Sequence, residues 1–177
     1  MASRTSTSRS RPGRSRRSSR QRASPSRLRF EGTLDIAAPR ERVWQFVTDP
    51  LAVSGCAPDV QSVEVIDPKH FKIVVRAGVG PIRATFNLDV VFTELAAPER
   101  ANVRARGQAP GSAVEMLSAM ALSAPSPDRT TMQWSSDVTV TGTIAQVGAR
   151  LMQGTADKLT KQVFACIKSK LEVTTPA

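Results

Sequence analysis

The segment Thr143–Leu171 constrains this chain more than any other. Its apolar side chains recur at helical spacing, first Ile144, Val147, Leu151 and Met152, then Leu159, Val163, Ile167 and Leu171. An amphipathic helix over these 29 residues would run roughly 44 Å at about 1.5 Å per residue. Its apolar stripe is too long to leave in water and needs a partner surface. A strict spacing of four drifts roughly 40° per step on such a helix. The apolar seam therefore winds around the axis, or the helix bends. Gly148 and Gly154 are where a bend would fall. Gly148 lies on the inward stripe, where its missing side chain either permits close helix–sheet packing or leaves room for a ligand.

The partner surface is visible upstream. Leu28, Phe30, Leu34 and Ile36 alternate with Arg29, Glu31, Thr33 and Asp35, the pattern of a half-buried strand. Pro39 opens a short helix with Val43, Trp44, Phe46 and Val47 on its apolar side, and Asp49-Pro50 stops it. A second short piece covers Leu51 to Cys56. Strands follow at Val60–Ile66, Phe71–Val79, Ile82–Thr93, Ala101–Gly107, Val114–Leu122 and Thr130–Thr141, with turns at Gly80-Pro81, Pro98-Glu99, Pro110-Gly111 and Pro125–Asp128. Ile82, Ala84, Phe86, Leu88, Val90 and Phe92 make the cleanest period-2 run. Consecutive strands with short turns predict an antiparallel meander.

Charge divides the chain unevenly. Its 177 residues suffice for one domain with a sizeable core. The formal charge of +10 is concentrated in residues 1–27, which hold nine arginines, nine serines and no acid. Sixteen basic and fifteen acidic residues remain for everything else. So apolar-poor a segment cannot offset its ordering entropy, and a disordered basic tail is expected over 1–27. The domain is expected over 28–173, with a short tail at 174–177. No run of eighteen apolar residues exists, and the N-terminus lacks the apolar core of a secretory signal. Cys56 and Cys166, 110 positions apart, do not read as a disulfide framework. A reducing compartment is the default expectation for such a pair.

Reactive side chains are sparse. The one histidine, His70, sits beside a turn and is expected at the solvated surface. No Gly-x-Ser-x-Gly precedes a helix. Gly78-Val79-Gly80-Pro81 leads into a strand and carries a proline, so it is a hairpin and not a phosphate loop. Glu31, Asp35, Glu64 and Asp89 fall on the polar sides of their strands, as does Asp137, and Glu115 faces away from Met116 and Met120. No metal set and no acid/base pair is forced together. The inward apolar set is large: Val75, Phe86, Leu88, Val90, Met116, Met120, Met132 and Trp134 on strands, then Ile144, Val147, Gly148, Leu151 and Met152 on the terminal helix. These residues are either ordinary core or the lining of a dry ligand cavity, for which adaptable methionines are well suited.

The element order, a strand, two short helices, a meander and a long closing helix, resembles the α+β helix-grip fold of the SRPBCC or START-like superfamily, which includes the birch-pollen allergen. That fold wraps a curved antiparallel sheet of about seven strands on a long C-terminal helix. Several stretches are more specifically similar to the CoxG family, named for the CoxG subunit of carbon monoxide dehydrogenase. They are Leu28–Gly32, the stretch Pro39–Pro50 (PRERVWQFVTDP), Ser54-Gly55-Cys56-Ala57-Pro58, and Gly78–Phe86 with its GVGPIRA hairpin. In the closing helix they are Gln146-Val147-Gly148, Arg150-Leu151, Gly154 and Lys158-Leu159. The likeness spans residues 28–172, and it departs at Asp59, where the family often has glycine.

The resemblance implies a non-catalytic accessory protein of a molybdenum-containing CO dehydrogenase or related hydroxylase. It would bind a hydrophobic quinone-like or lipid-like molecule non-covalently, under Ile144–Met152, and assist membrane recruitment or electron delivery. A cytoplasmic protein, peripheral at the inner face of the membrane, is implied. The arginine tail could add electrostatic attraction to anionic lipid, at about 1 kcal/mol per basic residue. Without interleaved aromatics it offers no base stacking to nucleic acid, and a translated upstream leader without a role stays open as well. Two other readings stay open, a polyketide cyclase or aromatase of the same fold, which needs polar groups inside its cavity, and a generic lipid binder.

Overall fold

The structure, a computed structural model, describes residues 25–172. The expectations for the tails at 1–24 and 173–177 lie outside the described residues. Eleven elements follow in order: β1 (Ser26–Ile36), α1 (Arg40–Val47), α2 (Pro50–Ser54), β2 (Val60–Asp67), β3 (His70–Val79), β4 (Ile82–Ala96), β5 (Arg100–Ala109), β6 (Ser112–Ser126), β7 (Arg129–Gly142), a 3-10 turn (Thr143–Val147) and α3 (Ala149–Leu171). β1 starts slightly ahead of the expected Leu28, because Ser26 and Arg27 already pair with Val140 and Thr139.

The seven strands form one antiparallel sheet in the order β1-β7-β6-β5-β4-β3-β2. β2 to β7 is an uninterrupted meander. α1 and α2 carry the chain from one edge strand, β1, to the other, β2. Alternation then makes the two faces unlike. Leu28, Val138, Met116, Ala105, Val90 and Phe71 stand opposite one another along one row of the inner face. One residue along, the outer face pairs charge with charge. Arg29 Nη1 donates to Asp137 Oδ1 at 3.0 Å, and Arg106 Nε lies 3.5 Å from Glu115 Oε2. Asp137, and after it Glu31, raises the Arg29 guanidinium above its ordinary pKa. So exposed a pair adds little stability.

Local chemistry shapes the corner between β1 and β2. Asp49 Oδ1 accepts from the Leu51 N–H at 3.0 Å, capping α2. Pro50 takes the first helical position, where no donor is needed. Val43 on α1 is fully buried. The buried Thr130 hydroxyl donates to Ala38 O at 2.7 Å, tying β7 to the start of this corner.

The terminal segment is not the single helix expected over Thr143–Leu171. Gly148 takes φ 94° and ψ 152°, and separates the 3-10 turn from α3. That backbone conformation is open to glycine and strained for other residues. Gly154 stays inside α3 without interrupting it. α3 lies across the inner face with Met152, Ile167 and Leu171 buried. Leu151 and Leu159 are 41% and 38% exposed, because a spacing of four drifts off the seam.

The two cysteines require a second correction. Cys56, just after α2, and Cys166 on α3 form a disulfide with Cα atoms 5.5 Å apart. The fold closes the 110-residue separation by laying α3 back over the α1–α2 corner. Buried apolar residues gather in three groups on the inner face. One surrounds Cys56, Val43, Ile167 and Leu171. One lies under the first half of α3. The third holds Phe71, Val90, Phe92, Ala101 and Ala105.

Candidate hydrophobic cavity

Beneath the first half of α3 the inner face is not filled. A cavity of about 230 Å³ lies between β1, β7, β3, β4 and the helix. Phe30, Val75, Phe86, Leu88, Ile144 and Met152 form much of its wall. The 3-10 turn holds one end. Thr143 N–H donates to Gly111 O at 2.9 Å, and Ile144 N–H donates to Ser112 Oγ at 3.1 Å. These bonds fix the turn on the β5–β6 hairpin and place Ile144, 4% exposed, against the cavity. Gly107 on β5 lets Leu88 take its position. A side chain there would collide with Leu88 Cδ2 and press on Phe86.

The cavity offers almost no polarity. Thr155 brings the one hydroxyl among its lining residues. That hydroxyl donates to Leu151 O at 3.0 Å, back into its own helix. The inner face carries two further hydroxyls, Ser118 and Ser136, which bond to each other at 2.8 Å and lie outside the lining. A guest here meets hydrocarbon on nearly every side, and its binding is driven by removal of apolar surface from water.

Of the thirteen residues singled out from the sequence, the structure brings Val75, Phe86, Leu88, Ile144 and Met152 together around this cavity. Val147 packs against the same apolar group without lining it. Gly148 sits at the break before α3, with open space where a side chain would be. Leu151 turns outward, toward Gly80. Val90 is buried in the third apolar group, and Met116 packs on it. Met132 is buried around Cys56. Met120 and Trp134 bridge neighbouring groups, with Trp134 edge-on to Phe164 at 5.1 Å between ring centres. The lining also includes Leu28, Val79, Val114, Val138, Val140 and Leu159. Their alternation already put most of them on the inner face. What it lacked was position along the strand.

A larger concavity, about 550 Å³, lies on the outer face among Glu64, Lys72, Asp89 and Arg106. Opposite charges alternate there across adjacent strands, Glu64 beside Lys72, Lys72 beside Asp89, and Asp89 beside Arg106. This is a self-compensated, solvated surface, and it is the less apt ligand site despite its size. His70 belongs to the same region. Its imidazole contacts the Asp89 carboxylate, and the side chain is 30% exposed. Among the described residues no three His, Cys, Asp or Glu side chains converge as a metal site. Among them too, no helix is long and apolar enough to cross a membrane.

The family model of the carbon monoxide dehydrogenase protein CoxG matches residues 32–172. The chain belongs to the CoxG family. A search of curated proteins finds no match. Solved structures share the fold. A conserved protein from Geobacillus kaustophilus is 21% identical with TM-score 0.76, the match covering 82% of this chain and 95% of that one. A START superfamily protein from Mycobacterium smegmatis is 16% identical with TM-score 0.65, covering 83% and 99%. The Zhui aromatase/cyclase from Streptomyces sp. R1128 is 16% identical with TM-score 0.64, covering 83% and 94%. At these identities the likeness concerns the START-like, helix-grip architecture, which this CoxG family member shares with binders and enzymes alike.

Proposed function

We propose that this CoxG family member is a non-catalytic accessory protein of a molybdenum-containing CO dehydrogenase or related hydroxylase. It carries a hydrophobic, quinone-like or lipid-like molecule in the cavity under α3, and serves that enzyme at the inner face of the cytoplasmic membrane. The observation that carries the reading is the apolar wall of the cavity, whose one hydroxyl is already bonded within α3. Family membership supplies the partner. A space of about 230 Å³ suits a ring system or a short acyl segment, so a longer chain would trail through the mouth. Titration with a short-chain ubiquinone, followed by native mass spectrometry and by the fluorescence of Trp134, tests the reading. Saturable one-to-one binding at micromolar quinone supports it, and no retained quinone at that concentration counts against it.

A cyclase or aromatase is the second reading, favoured by the shared fold with the Zhui enzyme. Such chemistry needs groups that move protons at the guest. Turnover of a polyketide-like substrate, lost on Thr155→Val, would establish it over the carrier reading.

A further inference from the structure

The disulfide stands apart from the cavity and is not needed to build its wall. Cys56 is 6% exposed, whereas Cys166 is partly exposed. The bridge joins the end of α2 to the second half of α3. That half of the helix is also held by buried Ile167 and Leu171 and, just beyond it, by Glu172 Oε1, which accepts from Ala37 N–H at 2.9 Å. The first half differs. It begins at the glycine break of Gly148, contains Gly154 with nothing within 4 Å of its would-be side chain, and exposes Leu151 and Leu159. One helix is thus tethered at one end and lightly held where it covers the cavity.

We propose that Cys56–Cys166 is a reversible thiol–disulfide site that sets how firmly α3 closes the apolar cavity. This rests on the cavity being a ligand site. The co-reactant is a low-molecular-weight thiol and its disulfide. A thiolate attacks the accessible Cys166 sulfur, the Cys56–Cys166 bond breaks, and Cys56 leaves as a thiolate. A second thiolate attacks the external sulfur of the mixed disulfide and frees Cys166. Both cysteines take up a proton. Two external thiols become one external disulfide, and the bridge has gained two electrons. Oxidation runs the same steps backward. The Lys170 ammonium lies against Gly55, 3.3 Å from where a side chain on that glycine would begin. That cation, next to Cys56 in the chain, stabilises the departing thiolate. With the bridge open, the end of α3 keeps only its noncovalent anchors, local opening becomes more frequent, and an apolar guest leaves faster.

The test uses the full chain with N-phenyl-1-naphthylamine, a redox-inert apolar fluorophore. Protein is equilibrated in glutathione buffers, the bridged fraction is read by alkylation and intact mass, and α3 is followed by hydrogen exchange. The expected result is a reversible transition, faster exchange over residues 159–171 when reduced, and probe release faster by about fivefold. Cys166→Ser should reproduce the reduced state without reductant, and Lys170→Gln should slow cleavage by roughly threefold. A bridge that never forms in these buffers, or exchange over α3 that is the same in both states, overturns the proposal. Probe that binds neither state while α3 still loosens on reduction overturns instead the cavity reading, and with it the coupling to a ligand.

Discussion

Leu151 reaches from the first turn of α3 to Gly80 in the β3–β4 hairpin, so close that a side chain on Gly80 would begin 2.6 Å from Leu151 Cδ2. Gly80 also has φ 57°. The GVGPIRA hairpin and the closing helix therefore meet through a position that needs glycine twice, for its backbone and for the space above it. Gly80→Ala should cost about 1–2 kcal/mol, measured by urea unfolding. Leu151→Ala in the same chain should recover part of that cost, the part due to collision and not to φ. Strict additivity in the double-mutant cycle would show that the contact carries no energy.

Gly107 makes room for Leu88 in the cavity wall. Gly107→Ala should push Leu88 into the space and weaken binding of an apolar probe by roughly 3- to 10-fold, with a smaller loss of stability. Fluorescence titration decides it, and unchanged affinity would place the guest elsewhere.

Met152 is 5% exposed and stands between helix and cavity. Met152→Ala should lower stability by about 2–4 kcal/mol and enlarge the cavity. Relative affinity should shift toward bulkier apolar ligands. A uniform loss for all ligand sizes would mean that the helix has lost its seat.

The bridge between Cys56 and Cys166 should contribute to stability by restricting the unfolded chain. Cys56→Ala with Cys166→Ala should lower stability by about 2–5 kcal/mol, seen as a fall in Tm relative to the oxidised wild type. Reduced wild type should fall by a similar amount, and an unaltered Tm in both cases would contradict a formed bridge.

Asp59 carries φ 59°, a left-handed backbone for a residue with a side chain. Its carbonyl accepts from Arg76 N–H at 3.0 Å, which fixes that turn before β2. Asp59→Gly should therefore stabilise the protein by about 0.5–1 kcal/mol in chemical denaturation. A destabilised variant would indicate that the aspartate side chain contributes more than the backbone strain removes.

Much of this architecture was legible along the chain. The alternation from Ile82 to Phe92 could only be a half-buried strand, because successive side chains of a strand point to opposite faces. The same rule assigned Leu28, Phe30, Met116 and Trp134 to one face. The rule is silent on depth along that face. Met132 and Leu88 carry the same pattern, yet Met132 packs around Cys56 and Leu88 borders the cavity. Helical spacing likewise could not choose between Leu151 and Met152, neighbours roughly 100° apart on the helix. The docking angle of α3 chose Met152.

Periodicity and turn chemistry, both local properties of neighbouring residues, determined the strands, their sequence in the meander and the presence of an amphipathic closing segment. Those signals decay within a few residues, since they arise from backbone sterics and solvent contact. The break at Gly148, the pairing of Cys56 with Cys166 and the unfilled space beneath Met152 were decided only when α3 settled on the sheet. Each depends on where two distant pieces of chain come to rest together, and packing alone sets that distance.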